Sequence, residues 1–89
     1  MELSAHAIDK LQTYGIEGVR FQGWCKALAQ GEAFWDVTSG ASGLVIRWEG
    51  RPWVVILSQN DGKVVTTYPT DERTVTNRRG GGRWIFPNN

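Results

Sequence analysis

The chain has 89 residues, 40% of them hydrophobic and 21% charged, the proportions of an ordinary folded domain rather than a disordered chain. That length allows one small domain, residues 1–89, with a modest core and no room for a second. No apolar run approaches the ~18 residues that span a bilayer, and Glu2, His6 and Asp9 stand where a basic signal-peptide start would be. Cys25 is the only cysteine, so an internal disulfide is excluded and a reducing, cytoplasmic setting is expected.

The net charge of +1 hides an asymmetry. Residues 1–40 carry three basic and five acidic side chains, whereas residues 41–89 carry seven basic and four acidic ones. Six of those seven are arginines, namely Arg47, Arg51, Arg73, Arg78, Arg79 and Arg83. Arginine suits phosphate because its planar fork donates two parallel hydrogen bonds, although scattered arginines also simply solvate a surface.

In chain order, Leu3, Ala7, Leu11 and Tyr14 recur at helical spacing, predicting a helix over about 3–14. Gly15 followed by Ile16 reads as its stop, with Ile16 packing back on Leu11. Val19, Phe21, Trp24, Cys25 and Leu28 predict a second helix over 18–30, ending at Gly31. The period then shortens. Phe34–Val37, Leu44–Trp48, Trp53–Leu57 and Lys63–Tyr68 are aromatic or β-branched runs separated by Gly, Pro, Asn and Asp, which predicts an antiparallel meander. Thr74–Thr76 reads as a short strand, 80–82 as a flexible triglycine break, and Arg83–Phe86 as a last edge strand open to a partner and ended by Pro87.

The expected fold class is α+β. Two N-terminal helices (about 3–30) pack on one face of a twisted antiparallel sheet of about four strands (about 33–86), leaving the other face open. Alternation puts Val64, Thr66 and Tyr68 on one side of their strand. If Trp48 packs under the helices, Arg47 points to the open face and Thr66 and Tyr68 meet it there.

The order His6-Ala7, Lys10, Tyr14-Gly15-Ile16, Ala27-Leu28-Ala29-Gln30-Gly31, Trp53-Val54-Val55-Ile56 and Val65-Thr66-Thr67-Tyr68 resembles a small bacterial His-Ala-helix domain family. That family is grouped with the barnase, EndoU, colicin and RelE ribonuclease-toxin superfamily, and the resemblance covers residues 5–68. It implies cofactor-free and metal-independent RNA cleavage, in which the ribose 2′-hydroxyl attacks its own phosphate and leaves a cyclic phosphate end. The implied partners are an RNA substrate and a cognate antitoxin or immunity protein.

By the same resemblance His6 would move the proton, since imidazole titrates near neutral pH. Arg47 would stabilise the five-coordinate phosphate, with Thr66 and Tyr68 orienting it and Tyr68 a second proton-transfer group. Lys10 stands where the family usually has arginine and would contact phosphate as a point charge. Arg51, Arg78, Arg79 and Arg83 are further candidate RNA contacts, and Trp84 a platform on which a base stacks. Each residue also has a plain reading: His6 as a surface group, Thr66 and Tyr68 as strand packing, Cys25 as a buried thiol. A non-catalytic module binding nucleic acid or protein through the open face and the Arg/Gly-rich tail therefore stays beside the nuclease reading. One histidine and one cysteine are too few for a dedicated zinc site.

Overall fold

In the computed structural model, which describes residues 1–87, Ser4 starts helix α1 (Ala5–Thr13) by accepting the Ala7 N–H on its hydroxyl at 3.1 Å. Ala7 and Leu11 form its buried stripe. The helix stops as its sequence predicts. Gly15 adopts φ 76°, its N–H reaches the Gln12 carbonyl at 2.9 Å, and the Ile16 N–H reaches the Leu11 carbonyl at 2.9 Å. Those two bonds satisfy otherwise orphaned carbonyls and drop Ile16 into the core beside Leu11. Helix α2 (Val19–Ala27) continues as a short 3-10 turn over Leu28–Gln30 and ends at Gly31.

Five strands follow as an antiparallel sheet in the order β4-β3-β2-β1-β5. They are β1 (Glu32–Asp36), β2 (Ser42–Trp48), β3 (Arg51–Leu57), β4 (Val64–Pro69) and β5 (Trp84–Ile85). On one face Leu44, Ile46, Trp53, Val55 and Val64 pack against Ala7, Leu11, Ile16, Trp24 and Leu28. Trp48 joins this side half-buried, as the two-helix layer requires, so Arg47 points the other way. No helix among the described residues is long and apolar enough to cross a membrane.

The opposite face is not open. Thr74–Thr76, expected as a strand, lies inside a third helix, α3 (Glu72–Gly80), whose Asp71 cap accepts the Thr74 N–H at 2.7 Å. Val75 is its buried residue and packs with Phe34, Val45, Val54, Trp84 and Phe86 into a second core. The three glycines do not form a free break: Gly80 belongs to α3, and the N–H groups of Gly81 and Gly82 bond back to Asn77 and Arg79 at 2.9 and 3.2 Å. Trp84, expected as an exposed platform, is 4% exposed inside this second core.

A second correction concerns β4. Its register slips between Ile56 and Leu57, so Val64 pairs with Leu57 while Thr66 pairs with Ile56 and Tyr68 with Val54. A bulge inserts one residue and reverses the alternation beyond it. Val64 therefore faces α1 and the helices together with buried Thr67, while Thr66 and Tyr68 share the α3 side with Val54 and Ile56.

Candidate functional site

The α3 face is organised by two carboxylate-centred knots. In the first, Arg47 on β2 donates from Nε to Glu72 Oε2 at 2.9 Å and from Nη2 to Glu72 Oε1 at 3.0 Å. Its Nη1 reaches Glu32 Oε1 at 3.1 Å, and Arg79 Nη2 reaches Glu32 Oε2 at 3.2 Å. The chain of charges Glu72, Arg47, Glu32, Arg79 thus ties α3 to β1 and β2. Hydrogen bonding to Glu72 is the largest influence on Arg47 and, with Glu32, holds its guanidinium far above the ordinary range despite partial burial. An arginine so occupied is a fastener for α3, not a free phosphate ligand.

The second knot surrounds Asp36, the buried end of β1. Its Oδ1 accepts the Thr38 and Ser39 N–H groups at 2.9 and 3.1 Å, and its Oδ2 accepts the Trp84 indole N–H at 3.2 Å. Arg83 Nε contributes at 3.3 Å to both oxygens. Burial alone would raise this carboxyl; the donors from Arg83, Ser39, Thr38 and Trp84 outweigh it and bring the pKa down to about 2. Neither Asp36 nor the Glu32–Glu72 pair stood out in the sequence. The Asp71-Glu72 step, a capping residue followed by an acid in the first turn, was the available signal for α3.

Thr66 and Tyr68 do share the face of Arg47, as the alternation near the end of β4 requires. Tyr68 remains 41% exposed. Burial pushes its phenol up, with a smaller upward push from Asp36, while the nearby guanidiniums of Arg78 and Arg83 pull it down. Arg78 lies with its guanidinium 6.0 Å from the Trp84 ring centre and takes part in no salt bridge among the described residues. Tyr68, Arg78 and Arg83 are therefore predicted site residues within electrostatic reach of one another, and Thr66 shares the strand face of Tyr68.

The others are elsewhere. His6 is exposed on α1, and Lys10 follows one turn later with its Nζ 6.0 Å from the Tyr14 ring centre. Both belong to the helix layer, with the sheet between them and Arg47, Thr66 and Tyr68. Arg51 donates from Nε to the Thr70 carbonyl at 3.1 Å, at the start of α3. Arg79 is held by Glu32 and lies 4.1 Å from the Phe86 ring centre. Cys25 is half-buried, and burial pushes its thiol up, away from nucleophile chemistry. No group of three or more His, Cys, Asp or Glu side chains among the described residues could hold a metal ion.

Compared with known proteins, the chain matches no family model, no curated protein and no solved structure. The geometry defines a three-layer α+β domain: two helices, a five-stranded sheet, and one polar helix pinned by ion pairs over the second face.

Proposed function

We propose that the chain is an RNA-binding domain that holds the phosphate backbone on the surface between α3 and β4. The observation that carries this reading is that the half-exposed Tyr68 lies on the α3 side of the sheet within electrostatic reach of two guanidiniums, Arg78 and Arg83, one of which has no carboxylate partner among the described residues. A protonated phenol and an unpaired arginine both donate hydrogen bonds to phosphate oxygens. The half-exposed ring also offers a face to an unstacked base. RNA as ligand puts the site of action in the cytoplasm. Titration of labelled single-stranded RNA tests the reading. Arg78→Ala and Tyr68→Ala should weaken binding while Lys26→Ala on α2 leaves it unchanged; equal affinity in all three variants would overturn it.

Binding is placed ahead of cleavage because the fold separates His6 from Tyr68 and commits Arg47 to Glu32 and Glu72. Cleavage of the bound strand is the second reading. What favours it is that Thr66 and Tyr68 share one strand face, with Arg78 and Arg83 within electrostatic reach of Tyr68, together with the motif order that resembles the ribonuclease toxins. In that case Tyr68 is the proton-transfer group on this face, and a cognate antitoxin or immunity protein would act by covering it. Incubation with total RNA in chelator separates the two readings. Fragments with cyclic phosphate ends that vanish in Tyr68→Phe support cleavage. Loss in folded His6→Ala instead would return the chemistry to the helix side.

A further inference from the structure

The two edges of the sheet are treated differently. At β4 the outward groups of Val64 are already used, since its N–H donates to the Glu2 carbonyl and its carbonyl accepts the Ser4 N–H, both at 2.8 Å. A parallel bridge between Leu3 and Val64 covers the first residue of that edge with the segment that leads into α1. At β5 nothing comparable is present among the described residues. The Arg83 carbonyl accepts the Val37 N–H at 2.9 Å and Ile85 pairs with Trp35, so these groups turn toward β1, while the Arg83 N–H donates to the Arg78 carbonyl at 3.0 Å. Antiparallel geometry then turns the N–H and carbonyl of Trp84, between them, outward.

Beside this edge lies apolar surface that no element among the described residues covers. Trp35, Val37 and Ile85 are 52%, 49% and 46% exposed. Trp35 and Ile85 are direct cross-strand partners on the helix-side face, but α1 packs against β4 and α2 against β2. On the opposite face of the same edge Arg78 stands over Trp84 and Arg79 over Phe86, and Arg83 precedes the strand. Among the described residues these three cations meet only Asp36 and a Glu32 shared with Arg47.

We propose that β5 is a docking edge for an extended, acidic segment of a partner protein, which adds a sixth strand. Its backbone bonds to Trp84, alternate apolar side chains cover Trp35 and Ile85, and intervening carboxylates face Arg78 and Arg79. A second copy of this chain fits less well, because pairing β5 with β5 would bring the arginines of both copies together. The docking edge shares Arg78 with the RNA-binding surface, but its anchors, the outward backbone of Trp84 and the apolar side chains of Trp35 and Ile85, belong to β5 and β1 and are not used there.

Selection from a displayed library of random short peptides tests it with the intact protein. Recovered sequences should alternate apolar and acidic residues. A recovered peptide should slow hydrogen exchange of the Trp84 amide and lose about tenfold in affinity on Ile85→Lys, the removal of one apolar anchor. Recovery of no binder, sequences without acidic preference, an unprotected Trp84 amide, or binding indifferent to Ile85→Lys would each overturn the proposal. So would a dimer in sedimentation that Ile85→Lys dissolves, since a second copy would then be the occupant.

Discussion

Arg47 and Glu72 meet in a two-pronged ion pair, at 2.9 and 3.0 Å, that joins the second strand to the first turn of a helix 25 residues later. Both side chains are about half exposed, so the pair orients α3 more than it stabilises the fold. A double-mutant cycle of Arg47→Ala and Glu72→Ala should return a coupling of ~0.2 to ~1 kcal/mol, shrinking with added salt. Chemical denaturation measures it. A coupling of several kcal/mol would mean that the pair is desolvated.

Val75 carries the apolar attachment of α3. Truncation to Ala should cost ~2 kcal/mol, the lost transfer energy plus a residual cavity against Phe34, Val45 and Val54. Trp84 and Phe86 lie under the same helix, so tryptophan emission should shift to longer wavelength before global unfolding in this variant.

Gly43 sits directly across from Phe34, and a Cβ there would lie 2.5 Å from the Val55 carbonyl oxygen and 2.7 Å from the Phe34 ring. Phe34 is itself fixed by stacking on Trp84 with ring centres 4.5 Å apart. Gly43→Ala should therefore destabilise by at least ~1 to 3 kcal/mol, the usual cost of overpacking. A denaturation midpoint equal to wild type would contradict this packing.

Asp36 links stability to acid. Its folded pKa, about 2, lies below the reference value of 3.8. A depressed carboxyl contributes stability that is fully present above its unfolded pKa and is lost as pH falls through the folded one. Wild type should thus lose thermal stability relative to Asp36→Asn between about pH 4 and about pH 2, as melting curves across that window would record. A constant difference between the two proteins would show that the knot binds no extra proton on unfolding.

The helices and four of the strands were legible because their signals are local. Leu3, Ala7 and Leu11 mark a helical stripe, Gly15-Ile16 marks its end, and Leu44–Trp48 and Trp53–Leu57 are β-branched runs. The orientation of Arg47 followed from Trp48 facing the helices. Helix α3 was hidden because Thr74, Val75 and Thr76 favour strands by propensity, and the helix buries a single apolar residue. Its attachment is tertiary, through Arg47 and Glu32, which no local pattern reveals. The same cause hid Trp84, whose indole is drawn inward by Asp36, a residue 48 positions away. The bulge near Leu57 was invisible for a related reason, since register is a property of two strands and Val64 alone does not report it. Of the expected site, Thr66 and Tyr68 fell on the predicted face. The link of His6 to that face came from motif order, which carries no information on which side of the sheet a helix lies.

The salt dependence of RNA affinity tests the central claim most directly. Binding of a labelled single-stranded RNA by wild type should weaken linearly in logarithmic coordinates as salt rises, and Arg78→Ala should reduce the slope by about 0.7, one phosphate contact on a single strand. A flat salt response in wild type, or an Arg78→Ala slope equal to wild type, would contradict an RNA-binding surface between α3 and β4.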